Sequence, residues 1–274
     1  MYTQHWKLSS RPFENRCDSQ FYYPAELHQA ALLKLHYTIE NRRAAALLCG
    51  PTGIGKTFLV QELRRQLSEP FRCVTNLVFP ALEEREWLAY FVDALDTAAS
   101  GSSSGTAQAL TRMERILVAH IDAKSHPTIV VDEAQLLEHY GLLEPLRLLL
   151  NVAADRAIGE SAWTLLLVGQ EVTLAHVERY HALDERLAVK CVVDRMKPEE
   201  TQGYIQHRLR AAHGDASVIF RSDALEAIEC LSQGLPRRIN RLCDLALMIG
   251  YAEDTSQITA EIIDSVHADL AAHN

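Results

Sequence analysis

The sequence of 274 residues has no apolar run of the roughly 20 residues needed to cross a bilayer; its longest, Ala44–Cys49 and Trp163–Val168, are of β-strand length. It also lacks the basic start and apolar stretch of a secretory leader, since MYTQHWKLSSRPFENRC is polar and broken by Pro12. These absences lead to the expectation of a cytoplasmic chain with no membrane segment of its own. The six cysteines (Cys17, Cys49, Cys73, Cys191, Cys230, Cys243) form no CxxC pair and have no histidines at zinc-ligand spacing, so they are expected to be buried thiols in a reducing compartment. A basic surplus is missing too. With a formal net charge of -9, any contact with nucleic acid would rest on a local basic patch rather than on bulk attraction. Hydrophobic residues at 48% and charged residues at 23% exclude a disordered chain and leave an ordinary globular one.

What is present alternates. AAALLCG at 44–50 is a short apolar run ending in glycine, and FLVQELRRQL after it has helical spacing, which makes the first half of a βαβ unit. Further runs of strand length stand at 72–79, 128–132, 163–169 and 189–194, with the helical stretches EEREWLAYFVDAL and LLEPLRLLLNVAADRA among them. Strands alternating with helices predict a five-stranded parallel sheet covered by helices on both faces. The SGSSSG run at 100–105 reads as a surface loop. From about Met196 every segment has helical spacing, with Ser222 and Thr259 as N-caps of two of the helices. The domains expected are a lead-in with a docking helix (1–43), a nucleotide-binding α/β domain (44–195) and a small all-helical lid (196–274).

GPTGIGKT, residues Gly50, Pro51, Thr52, Gly53, Ile54, Gly55, Lys56 and Thr57, satisfies G-x-x-x-x-G-K-[ST] and stands between a predicted strand and a predicted helix that opens on Phe58. The glycines let backbone N–H groups converge on phosphate oxygens, and the helix N-terminus adds positive dipole. Lys56 suits the β- and γ-phosphates of ATP, and the Thr57 hydroxyl suits Mg²⁺. TIVVDEAQ at 128–135 is an apolar strand ending in two carboxylates: Asp132 to hold Mg²⁺, Glu133 to polarise the attacking water, or, in the bland alternative, to cap the next helix.

Taken in order, PFENRCDSQFYYPAELHQAALLKLHYTIE, GPTGIGKT, VVDEAQLL, LLLVGQ, GYIQHRL and GLPRRIN make the chain resemble the AAA+ P-loop ATPases, and among them the ExeA-type (general secretion pathway protein A) family. The resemblance runs from about Trp6 to about Leu270 and covers the ATPase region only. It implies that Gln170 is the sensor 1 residue that orients water, although a polar cap on a strand end would read the same. It implies that Arg237 is the sensor 2 arginine of the lid. Arg186 matches the place of an arginine finger, or else forms a surface salt bridge with Asp184 or Glu185. Tyr23, with Tyr22 and Pro24, matches the segment beside adenine, or is plain core.

The function expected is hydrolysis of ATP with Mg²⁺ by a homo-oligomer, a ring or a filament, that switches or remodels a macromolecular partner in the manner of the ExeA-type ATPases. The alternative is a DNA-binding transposition or targeting regulator of the TnsC or MuB type, which basic clusters such as Arg64-Arg65 and Arg237-Arg238-Arg241 keep open. A third is a scaffold that binds ATP and scarcely hydrolyses it; Glu133 and Gln170 argue against that.

Overall fold

The computed structural model describes residues 2–78, 86–95, 105–152 and 160–272. Five strands, β1 (Ala45–Cys49), β2 (Val74–Val78), β3 (Thr128–Asp132), β4 (Thr164–Gly169) and β5 (Leu187–Val192), form one parallel sheet in the order β2-β3-β4-β1-β5. The expected five-stranded parallel sheet is therefore present. The helices of eight residues or more among the described residues are α1 (Glu26–Glu40), α2 (Lys56–Gln66), α3 (Trp87–Leu95), α4 (Thr106–Asp122), α5 (Val172–Arg179), α6 (Pro198–Ala211), α7 (Ser222–Ser232), α8 (Pro236–Ala252) and α9 (Ala260–Ala272). Residues 100–104 of the SGSSSG run, the first residues of EEREW and the tail of the helix expected through Ala157 lie outside the described residues. None of the described helices is long and apolar enough to cross a membrane.

The chain divides into two compact units, one of Gln29–Pro51 and Leu59–Val193, the other of Met1–His28, Thr52–Phe58 and Asp194–Asn274. In the first, β1 and β4 are buried at every residue and β3 at all but its last, as expected of central parallel strands covered on both faces. Phe91, Met113, Leu146 and Trp163 fill the core around them. In the second unit, Phe13, Ile205, Phe220, Ile239, Cys243 and Ile263 make a separate core. This core includes the lead-in, because Arg208 of α6, only 2% exposed, donates to the carbonyl oxygens of Pro12 and Glu14 and to the Tyr204 hydroxyl.

Two expectations are corrected. Cys17 and Cys230 are exposed and Cys73 is half-buried rather than buried, though all six cysteines are free thiols. Ser222 is the first helical residue of α7 and not its cap; Arg221 takes the N-cap position, with no side-chain bond to the helix.

His126, at the foot of β3 and fully buried, carries a consequence for acid stability. The single hydroxyl proton of Thr164 is donated to the Arg43 carbonyl (2.7 Å), so the 2.8 Å contact with His126 requires His126 Nε2–H to donate. Burial, with Arg42 and His120 adding positive charge nearby, pushes the ring down to about 4 from its ordinary 6.5. The folded ring therefore stays neutral while the unfolded one protonates. Stability from this residue is complete above pH 6.5 and is lost as the pH falls toward 4, by about 3 kcal/mol in all. Urea melts at pH 7 and 4.5 should show a smaller acid loss for His126→Gln than for the wild type; parallel losses would mean that the ring titrates alike in both states.

Candidate functional site

In the unit that contains residues 52–58, the loop after β1 turns on two glycines with positive φ, Gly53 (+84°) and Gly55 (+101°). Side chains other than glycine's rarely adopt this region, and alternation of this kind makes successive N–H groups converge on one face. Two of its carbonyls have donors. Gly53 O accepts from the backbone N–H of Arg237 at 3.2 Å, and Ile54 O lies 2.8 Å from His28 Nε2. A Cβ on Gly53 would stand 2.9 Å from the Cβ of Arg237. Of the expected residues, Gly53 and Arg237 are thus brought together, with the Arg237 side chain exposed. Lys56 and Thr57 open α2 in the same segment, Lys56 half-buried and Thr57 exposed. Phe58 meets the Tyr22 ring edge-on at 5.6 Å between centroids. Tyr23 sits in a notch left by Gly203, whose absent Cβ would be 2.5 Å from the Tyr23 hydroxyl, and its ring meets Tyr204 edge-on.

The way into α8 explains how Arg237 reaches the loop. Gly234 has φ +69°; its C=O accepts from the Met196 N–H at 3.0 Å, and a Cβ on it would fall 2.2 Å from the Met196 oxygen. Pro236 then occupies the first helical position, where its missing N–H costs nothing. The first orphan donor of the helix is therefore the amide of Arg237, and Gly53 O accepts it.

In the other unit, Gly50 follows β1, Asp132 ends β3 and Gln170 follows β4, all at the carboxyl edge of the sheet, where open α/β sheets bind ligands. Glu133 has φ +53°. The other six non-glycine residues with positive φ among the described residues, Lys7, Arg42, Lys124, His213, Gln233 and Asp254, all lie at helix C-termini, where that conformation is a common cap. Glu133 alone follows a strand, and such outliers gather at functional sites. Its N–H donates to Asp132 Oδ1 (2.9 Å), and its carboxylate accepts from Gln135 Nε2 (2.5 Å). Gln135 Oε1 in turn accepts from the backbone N–H of Gln170 at 3.1 Å, which fixes the amide's orientation. Gly169 is packed against this pair, since a Cβ there would fall 2.2 Å from Thr173 Oγ1 and 3.0 Å from Gln135 Oε1. Arg186 is exposed and donates to Asn151 Oδ1 (2.8 Å); among the described residues no carboxylate pairs with it, and Asp184 is held instead by Lys190 (2.6 Å).

His28 and Gln135 are the site residues that the sequence did not single out. The second left a trace, as the residue two after Glu133 in VVDEAQ; the first left none, being one polar residue on an amphipathic helix. The chemistry of the donors fits the expected ligands: a loop turned on two positive-φ glycines beside a lysine suits a polyphosphate, and Asp132 in one unit and Thr57 in the other each offer the hard oxygen that Mg²⁺ takes.

Comparison with known proteins gives a family match, a sequence relative and two solved structures. A family model described as an AAA domain matches residues 39–177, about half of the chain. General secretion pathway protein A of Aeromonas hydrophila is 30% identical over 273 residues, 99% of this chain but 47% of that protein, so the chain spans about half the length of this relative. The ORC2 protein of Aeropyrum pernix, solved as ADPNP–ADP complexes, has the same fold with a TM-score of 0.66 at 16% identity, over 95% of this chain and 71% of its own. The ORC1 protein of the same organism, solved in complex with DNA, gives 0.65 at 16%, over 89% and 65%.

The approach of Gly234 to residue 196 can be tested by itself. Gly234→Ala combines a left-handed backbone with a contact no side chain tolerates, and should cost about 2–4 kcal/mol. Gly141→Ala is the control, at φ +65° but with nothing within 4 Å of its Cβ, and should cost about 1 kcal/mol. Equal urea midpoints for the two variants would mean that the chain at 196 yields without cost.

Proposed function

The chain belongs to the AAA family, and from that premise we propose that it binds ATP with Mg²⁺ and hydrolyses it to ADP and phosphate in a homo-oligomer that switches or remodels a macromolecular partner. The observation that carries this reading is the turn of the loop on Gly53 and Gly55, both at positive φ, with the carbonyls of residues 53 and 54 bonded elsewhere. The backbone from Gly50 to Thr57 holds the phosphates, Lys56 bridges the β- and γ-phosphates, and Thr57 and Asp132 hold the cation. Mg²⁺, when bound, neutralises charge on the phosphate oxygens. Glu133 takes the proton of a water whose oxygen attacks the γ-phosphorus, while the bond to the β-bridging oxygen breaks and its electrons leave with ADP. Gln170 orients that water, Arg237 senses the γ-phosphate, and Tyr23 with Phe58 lies toward the adenine.

The partner proposed first is of the secretion-associated kind, on the similarity to General secretion pathway protein A. A DNA-loading role is the second reading, favoured by Arg238 and Arg241 of α8, both exposed and neither paired with a carboxylate among the described residues. It requires duplex binding with ATP that weakens steeply with salt, by about one logarithmic unit per unit of log salt for each phosphate contacted. A flat slope in filter binding would remove it.

Lys56→Ala should lose ATP binding and turnover, whereas Glu133→Gln should bind ATP and stall, because an amide keeps the shape but takes no proton. Normal turnover in the glutamine variant would reduce Glu133 to a helix cap. Arg186 is assigned to a neighbouring subunit's nucleotide, a contribution of about 10³-fold or more in related enzymes. Arg186→Ala and Glu133→Gln, each inactive alone, should then regain turnover in mixed oligomers; mixed assemblies that stay inactive at every ratio would remove the assignment.

A further inference from the structure

His28 lies in the first turn of α1 and is 5% exposed. Its Nε2 lies 2.8 Å from the carbonyl oxygen of Ile54, which only accepts, so Nε2 carries the proton and Nδ1 is bare. That Nδ1 is buried with no hydrogen-bond partner. Desolvation holds the ring below the ordinary histidine range and so keeps it neutral. A buried nitrogen left unsatisfied is unfavourable, and an apolar residue of similar size would avoid the cost. What an apolar residue would not supply is the bond to Ile54.

That bond matters because of where it falls. Ile54 stands between Gly53 and Gly55, the two residues with positive φ that shape the loop. A loop that turns its N–H groups to one face leaves its carbonyls on the other, and each needs a donor. Gly53 O has the amide of Arg237, and Ile54 O has His28. The turn that carries His28 is itself fixed: the Glu26 N–H donates to Glu200 Oε1 at 2.8 Å, and Lys197 Nζ to Glu26 Oε2 at 2.7 Å. His28 therefore approaches the loop from a braced helix end. The ring also fits the loop closely, since a Cβ on Gly55 would meet its Nε2 at 3.7 Å.

We propose that His28 is a positioning residue of the phosphate-binding loop, whose Nε2–H holds the Ile54 carbonyl turned outward and keeps the loop's amides converged before nucleotide arrives. The proposal rests on the reading of the loop as an ATP site. His28 touches no reacting atom; it acts through the backbone of residue 54.

The test compares the full chain with His28→Gln, which places an amide donor near the position of Nε2, and His28→Met, which fills the volume with no donor. Affinity for ATP is measured by calorimetry, and inorganic tripolyphosphate is titrated as a competitor of a fluorescent ATP analogue. Losing one buried hydrogen bond should weaken both ligands about tenfold in the methionine variant, with the glutamine variant recovering most of it. Wild-type affinity in His28→Met overturns the proposal. Equally weak binding in both variants also overturns it, since the donor would then not be what matters, as does an ATP loss without a tripolyphosphate loss. If His28→Met does not fold by circular dichroism, His28→Asn, whose amide falls short of Ile54, takes its place against His28→Gln under the same outcomes. A wild-type chain that binds no ATP would instead sink the ATP reading itself.

Discussion

A loop that offers its amides to a polyanion must dispose of its carbonyls, and where they are buried each one needs a donor that the loop itself does not supply. Much of the helical unit is arranged around that need. The carbonyl of Gly53 takes the first orphan amide of α8, and the carbonyl of Ile54 takes a buried imidazole from α1. For α8 to present that amide, the chain before it must turn sharply, and Gly234 and Pro236 supply the turn and the donor-free first position. The same contact satisfies a helix end and a loop, so neither is stable in this form without the other. It also explains why residues 52–58 cluster with the helices rather than with the strand that precedes them.

At the carboxyl edge of the sheet the problem is the reverse: a side chain, Glu133, must be held in a backbone conformation it resists, at a cost of about 1–2 kcal/mol. Three bonds hold it. Its N–H is tied to the preceding carboxylate, its own carboxylate to Gln135, and Gln135 to the amide that follows β4. Because Gln135 spans from β3's end to β4's end, the acid and the residue after β4 share one amide side chain. Gly169 is small because a Cβ there would run into Thr173 Oγ1 first, at 2.2 Å, and then press on Gln135 Oε1 at 3.0 Å.

The parts legible in the sequence were those whose chemistry is local. GPTGIGKT needs only itself to be recognised, and β1, β3 and β4 showed as continuous apolar runs because central parallel strands are buried on both faces. The edge strand β5 begins at Leu187 rather than at the expected 189; its burial is broken and Lys190 interrupts its apolar residues, so the pattern marks its ends poorly. Helix α4, whose Ala109, Met113 and Leu117 are buried at a spacing of four, is not among the expected elements; it follows directly on a serine-rich run of loop composition. The α7 cap was misplaced by one residue, since serine is favoured both at and just inside a helix start. His28 and Gln135 were illegible for a deeper reason. Each has its role through one backbone group that the fold, not the sequence neighbourhood, sets against it.

The lead-in makes the same point about charge. Arg208 is a buried guanidinium with no carboxylate among its bonding partners; its donors go to two carbonyls and a phenol, and its face lies over the rings of Phe21 and Tyr204. Neutral acceptors compensate a buried charge less than a carboxylate does, so the arrangement persists only because each of the three is itself fixed. Tyr204 donates onward to Asn240 of α8, and Asn240 to Asn15. One arginine thus ties residues 12–15 to α6 and, through Asn240, to the helix whose first turn meets the phosphate-binding loop. The segment that reads as a polar entry is held by the middle of a distant helix, and it is that hold which brings Tyr22, Tyr23 and His28 into the same unit as the loop they are proposed to serve.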